Sequence, residues 1–147
     1  MVDQFYTLAK NFCVFIDSQS VNKDTLEELT TMLLKLYLKG LQLPFSEDFE
    51  EELEKEHIIP TSNIELRSYY NLVYDPFSDD AEDSLVGGSL EDDLQDIYGD
   101  LREGIVEYEA GNINNACWEW RFGLDNHCGV HAVNALKALH WLRTVYS

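Results

Sequence analysis

The sequence predicts an all-α fold, an up-down helical bundle of four main helices with a short extra helix and an irregular acidic segment packed on one side. Apolar residues recur at intervals of three and four over four long segments, which is the spacing of one helix face. They make up 45% of 147 residues, enough for one core. We therefore expect one domain over 1–147, made of a helical hairpin 2–43, an acidic middle segment 44–88 and a second hairpin 89–145.

The first hairpin is predicted from two amphipathic segments. The first segment covers residues 2–17 and is interrupted by a short polar stretch, Ser-Gln-Ser. The second begins where Asp24 and Glu27 have the spacing of a capping box. Its leucine stripe continues to Leu43, and Pro44 ends it, since proline breaks a helix interior. A short connection between two such helices favours antiparallel packing.

The middle segment gives weaker signals. Glutamates dominate residues 46–56, which favours a short helix that buries little. Residues 57–88 contain Pro60 and Pro76 and show no regular period, so we expect short helical turns or one extended piece there. The aromatic residues of this segment are predicted to pack against the bundle rather than to form a partner surface. They include Tyr69, Tyr70, Tyr74 and Phe77.

The second hairpin has the clearest pattern. Ser89 is placed to cap a helix whose apolar face runs from Leu90 to Tyr108, and Gly111 suits its C-terminal end. The last helix is expected from about Asn114 to Val145. It is apolar over much of its circumference, which is typical of a helix at the centre of its domain. Its tryptophans, Trp118, Trp120 and Trp141, are expected to pack in or beside the core.

The net charge of −18 lies in one part of the chain. Residues 46–109 contain 21 acidic and 3 basic side chains, whereas the flanks together contain 7 of each. Such a field repels phosphate backbones, so nucleic-acid binding is disfavoured. It would attract a basic protein surface or cations, although its simplest role is solubility.

Localisation and redox chemistry follow from what the sequence lacks. No run approaches the roughly 18 apolar residues of a membrane helix, and the start has no signal-peptide pattern. We expect a cytoplasmic protein with no membrane association. The three cysteines, Cys13, Cys117 and Cys128, have no Cys-x-x-Cys spacing, so neither a disulfide framework nor a structural zinc site is predicted.

The most suggestive chemical group combines the last two helices. His127 and His131 are four residues apart, so they share one helix face. On the preceding helix, Asp93, Asp96 and Asp100 edge the apolar face at 100° per residue. Antiparallel neighbours would bring these acids to the histidines. The commoner explanation is a structural histidine–aspartate hydrogen bond, and the alternative is a divalent-metal site.

Two other patterns have weaker functional interpretations. Asp92, Asp93 and Asp96 fit the Asp-Asp-x-x-Asp motif that holds magnesium and diphosphate in some prenyl-transferring enzymes, but acids also complement a helix N-terminus. Cys128 and His131 have a spacing that permits a thiolate–imidazole pair, but a cysteine on an inward face is usually a small apolar residue. Phosphate-binding loops and Gly-x-Ser-x-Gly elbows are absent.

Several stretches resemble a bacterial family known as domain of unknown function 5063. The resemblance is carried by Asp-Asp-Leu-x-Asp-Ile-Tyr-x-Asp-Leu at 92–101, Trp-Glu-Trp-Arg-Phe at 118–122 and His-x-Gly-x-His at 127–131. Weaker similarity lies at 12–16 and 41–44. The family pattern has an aromatic residue where Cys128 stands, which argues against thiol chemistry. The resemblance implies a small bacterial cytoplasmic helical protein and supplies no activity or cofactor.

Together these observations favour a non-enzymatic binding or accessory protein that uses its acidic surface, with no cofactor and an unknown partner. The alternative, from another class, is a divalent-metal-binding protein or metal-dependent enzyme. Its site would consist of Asp93, Asp96, Asp100, His127 and His131.

Overall fold

The computed structural model describes residues 1–45, 53–55, 60, 62–80 and 85–146. Its α-helices are α1 (Val2–Ser18), α2 (Leu26–Leu41), α3 (Leu90–Glu109), α4 (Ile113–Gly123) and α5 (Gly129–Trp141). A π-helical turn, Leu124–Cys128, joins α4 to α5, and a second, Leu142–Tyr146, follows α5. The strands are β1 (Ser20–Val21), β2 (Asn63–Ile64), β3 (Tyr69–Leu72) and β4 (Val86–Ser89). The chain is therefore mostly helical, as predicted.

The core is formed by the apolar faces of the helices. Helix α3 packs against α1, α4 and α5, and α2 packs against α1 and α5. Both termini of α3 form as the sequence predicts. The Ser89 hydroxyl accepts a hydrogen bond from the Asp92 N–H, and Gly111 turns the chain with a φ of +88°. No described helix combines the length and apolar character that crossing a membrane requires.

The start of α2 corrects one prediction. Asp24 and Glu27 form no capping box, because the helix begins at Leu26 with Thr25 at the N-cap position. The Thr25 hydroxyl instead donates to the carbonyl of Ser20 and accepts from the N–H of Asn22. These bonds close the turn between β1 and α2, so the capping side chain is used by the turn and not by the helix.

The middle segment contains strands, so the extended alternative applies there, although the irregular pattern did not predict how the strands pair. β1 pairs in parallel with β2, and β3 pairs with β4 in an antiparallel hairpin that places Tyr70 opposite Gly88. A Cβ at Gly88 would lie 2.5 Å from the Tyr70 ring, so glycine leaves room for that ring. The predicted short helix at 46–56 lies mostly outside the described residues, and residues 53–55 are not helical.

The prediction that the middle aromatics pack on the bundle is wrong for three of the four. Tyr69, Tyr74 and Phe77 are exposed, and Tyr70 is half-buried. Trp141 is also exposed, whereas Trp120 is fully buried. On β3, strand alternation directs Tyr69 and Tyr70 to opposite faces, whereas Tyr74 and Phe77 follow the end of the strand.

Trp120 fixes the contact between α3 and α4. Its indole N–H donates to the carbonyl of Leu101 over 3.0 Å, and its ring lies against Phe5 of α1, with ring centroids 4.9 Å apart. The ring covers Gly104, where a Cβ would lie only 2.1 Å from Nε1. Glycine at this position therefore lets the ring sit directly on the α3 backbone.

We expect Gly104→Ala to destabilise the protein by about 1–3 kcal/mol, since the methyl group must displace a buried indole. The matched control is Gly99→Ala on the same helix, where nothing lies within 4 Å of the added Cβ. That change should be neutral or stabilise by up to about 1 kcal/mol, because alanine favours helix. Urea unfolding measures both, and equal stability of the two variants would contradict the packing described for Trp120.

Candidate metal centre

Helix α3 presents three aspartates toward the π-helical turn and α5. Asp93, Asp96 and Asp100 lie at intervals of three and four, so they share one face of the helix. His127 belongs to the π-helical turn and His131 to the first turn of α5. The structure brings all five predicted residues together, and the two imidazole rings lie 5.0 Å apart between centroids.

His131 lies between two carboxylates. Its Nδ1 is 2.7 Å from Asp93 Oδ1, and its Nε2 is 3.1 Å from Asp96 Oδ2. Asp93 also accepts a hydrogen bond from the hydroxyl of Tyr70, which comes from β3. Asp93 is almost completely buried, with 5% of its side chain exposed. It is therefore held in place by a partner on either side.

His127 repeats this arrangement one turn earlier. Its Nδ1 is 2.8 Å from Asp100 Oδ2, and its Nε2 is 3.9 Å from Asp96 Oδ1. Asp96 thus faces the Nε2 atoms of both histidines. Asp96 and His127 are 41% and 49% exposed in their side chains, so this part of the cluster is open to solvent.

The carboxylates alter the acid–base properties of the cluster. The hydrogen bond of the His131 imidazole to the Asp93 carboxylate raises the pKa of His131 above its ordinary value, against the opposing effect of burial, and the charges of Asp96, Asp93 and Asp100 raise it further. Burial also raises the pKa of the Cys128 thiol, and the nearby Asp100 adds to this effect. The Cys128 thiol therefore stays protonated at neutral pH and is not an activated nucleophile.

The π-helical turn sets the position of His127. A Cβ at Gly129 would lie 2.0 Å from the carbonyl oxygen of Leu124, five residues earlier, so the turn requires glycine there. Gly123 has a related role, because a Cβ at this position would approach Asp100 Oδ2 to 3.1 Å. Two glycines thus allow the turn and the close approach of α3. Helical spacing alone predicts neither feature.

A second buried polar cluster lies toward the other end of α3. Glu107 is fully buried, and its carboxylate accepts hydrogen bonds from the Leu53 N–H and from the side-chain amides of Asn112 and Asn115. The Lys55 ammonium lies 3.5 Å from Glu107 and 3.0 Å from Glu119. No pattern in the sequence indicates that Lys55, from the acidic middle segment, reaches Glu107.

Burial raises the pKa of Glu107, but the three hydrogen bonds and the charge of Lys55 together lower it below its ordinary value. This cluster fastens residues 53–55 to the helices. Since a buried acid with such partners is stable as an anion, its role is structural, and it has no open face toward a ligand.

The fold and the cluster define a mostly helical protein in which a helix bearing three aspartates lies against a helix pair bearing two histidines. The chain belongs to the family described as Domain of unknown function (DUF5063), whose model matches residues 1–145. This confirms the resemblance seen in the sequence. The family has no assigned function, and no curated protein matches the chain.

A solved structure supports the same fold. The crystal structure of protein BF1032 from Bacteroides fragilis is similar, with a TM-score of 0.68 and 20% sequence identity, over 96% of this chain and 93% of that chain. At this identity the similarity concerns the fold alone.

We expect Gly129→Ala to destabilise the protein by about 1–3 kcal/mol, because the methyl group overlaps the Leu124 carbonyl oxygen unless the π-helical turn rearranges. In an ordinary α-helix the same change would stabilise by about 1 kcal/mol. Thermal unfolding shows whether Gly129→Ala lowers or raises the stability of the protein. A variant as stable as the parent would show that the turn is not needed.

For Glu107→Gln we expect a loss of about 2 kcal/mol at neutral pH, since charged hydrogen bonds are lost in a buried site. The pKa of Glu107 is lowered in the folded state. Its stabilising contribution is therefore present above the unfolded pKa of about 4.3 and is lost as pH falls through the folded value. The difference in unfolding free energy between parent and variant should shrink in acid. Glu103→Gln, an exposed change on the same helix, serves as control and should show no such trend.

Proposed function

We propose that the protein binds one divalent transition-metal ion through Asp96 and the Nε2 atoms of His127 and His131. One donor atom from each of these residues lies within 4.8 Å of the others. Asp93 and Asp100 complete the site by holding the Nδ1 side of each histidine. In this arrangement three residues contact the ion, and the other two hold the imidazole rings.

The observation that carries this proposal is the orientation of both imidazoles. Histidine ligands of metals usually donate their second ring N–H to a carboxylate, which fixes the ring and the tautomer. Here each Nδ1 has its own aspartate, at 2.7 Å and 2.8 Å, and each Nε2 points toward the shared Asp96. In both rings, therefore, the Nδ1 atom is held by an aspartate and the Nε2 atom is left to bind the ion.

The donor separations support the same conclusion. Ligands about 2.1 Å from a tetrahedral or octahedral ion lie roughly 3.0–3.5 Å from one another. Asp96 Oδ2 lies 3.1 Å from His131 Nε2, Asp96 Oδ1 lies 3.9 Å from His127 Nε2, and the three donors lie within 4.8 Å of one another, so side-chain movements of about 1 Å would bring them to these separations. Two imidazoles and a carboxylate suit zinc or ferrous iron, and three protein ligands leave positions for water or a substrate.

A purely structural role explains only part of the cluster. Asp93 is buried and needs hydrogen-bond partners, which Tyr70 and His131 supply. Asp96 and His127 are 41% and 49% exposed, so water could satisfy both. Their convergence with His131 is therefore not required by burial, and a shared ion accounts for it.

The acidic surface remains a second prediction, supported by the concentration of 21 acids in residues 46–109. Under this hypothesis the protein is a cytoplasmic accessory protein that binds a basic protein face. The contacts of α3 with α1, α4 and α5 support an up-down arrangement of its four main helices. Pull-down at low and high salt tests this hypothesis, because charge-driven binding weakens as salt screens it.

The metal proposal is tested with chelator-treated protein titrated with Zn²⁺ in excess Mg²⁺, which occupies weak carboxylate sites. We expect one saturable equivalent by calorimetry and a melting temperature raised by roughly 5–10 °C at 100 times the dissociation constant. His131→Gln and Asp96→Asn should abolish this response. Co²⁺ should give visible absorption that reports the donor set.

Two control variants are matched to these changes. Asp92→Asn removes an exposed carboxylate next to the cluster, and His140→Gln removes an exposed histidine later on α5. Both should bind Zn²⁺ like the parent. Equal responses in Asp96→Asn and Asp92→Asn, or binding of several equivalents without saturation, would overturn the proposal.

A further inference from the structure

A cleft of about 800 Å³ lies between the β3–β4 hairpin and the C-terminal helix. One wall comes from β3, β4 and the residues that precede β3, and the other comes from α5 and the second π-helical turn. Its volume is in the range of small-molecule sites. The cleft is separate from the Asp96 and histidine donors, none of which lines it.

The charge of this cleft is opposite to that of the chain. Two cations line it, Arg67 and Lys137, against one carboxylate, Asp92. Neither cation has an ion pair with any carboxylate in the described part of the chain. In a protein with a net charge of −18, two cations beside one cavity form a local site for an anion.

Aromatic rings provide the rest of the recognition surface. Tyr146 is 57% exposed and Trp141 is half-exposed, so two large rings are accessible at one cavity. The Arg67 guanidinium lies 5.2 Å from the centroid of the Tyr146 ring, a cation–π arrangement that orients both groups. Flat exposed rings next to cations favour a ligand that stacks through a planar body.

We infer that this cleft binds a small organic anion with a flat, apolar body, such as an aromatic carboxylate, sulfonate or phosphate ester. Arg67 and Lys137 bind the anionic group, and Trp141 and Tyr146 contact the ring. Asn134 and Ser68 also line the cleft and offer hydrogen bonds to polar substituents. This site goes beyond the metal proposal and does not depend on it.

Tyr70 connects the cleft to the histidine–aspartate cluster. It lines the cavity, and its hydroxyl donates to Asp93, which holds His131. A ligand in the cleft would therefore contact a side chain that belongs to both sites. Binding itself can still be measured in metal-free protein, so failure of one proposal leaves the other testable.

The test compares two fluorescent probes that share one aromatic body, 8-anilino-1-naphthalenesulfonate and the uncharged N-phenyl-1-naphthylamine. We expect saturable binding of the sulfonate near one equivalent. Arg67→Gln and Lys137→Gln should each weaken it by about tenfold, the loss of one charge-assisted hydrogen bond. Asp92→Asn should strengthen it, and Lys23→Gln, in the turn between β1 and α2, should leave it unchanged.

The uncharged probe separates this site from general apolar binding. Its affinity should fall in Trp141→Ala but not in the Arg67 or Lys137 variants. Circular dichroism and thermal unfolding check that every variant is folded. Sulfonate binding that is unaffected by Arg67→Gln, Lys137→Gln and Trp141→Ala would place the probe elsewhere and overturn the proposal, as would weaker binding in Asp92→Asn.

Discussion

The seating of Trp120 on Gly104 is the contact on which the rest of the structure depends. The indole ring lies directly on the backbone of α3, and its N–H bond to the Leu101 carbonyl fixes the position of α4 along that helix. Because α4 continues through the π-helical turn into α5, this one contact sets the register of all later residues against α3. His127 then meets Asp100, and His131 meets Asp93.

The π-helical turn adds a second constraint to this register. Single π-helical turns inside α-helices are rare and are frequent at functional sites. Here the turn contains His127, and Gly129 permits it. The aspartates on α3 need no irregular turn, because ordinary helical spacing aligns them.

The sequence predicts the place of some residues of the site but not of others. Intervals of three and four on two neighbouring helices were sufficient to bring Asp93, Asp96 and Asp100 to the histidines. The role of each ring nitrogen was not predictable, since it depends on side-chain orientation. Tyr70 was also missed as a partner of Asp93, because it comes from a strand of the middle segment. The same holds for Lys55, which reaches Glu107 from the glutamate-rich stretch that the sequence predicts as a short helix.

The sequence by itself determined the helices α1, α2 and α3, the cap at Ser89, the turn at Gly111 and the family of the protein. These are local properties, since helix periodicity and capping involve residues within a few positions of one another. Only the tertiary structure decided the strand pairing of the middle segment, the π-helical turn and the cleft beside α5. Each of these depends on contacts between residues far apart in the chain, and no local pattern records such contacts.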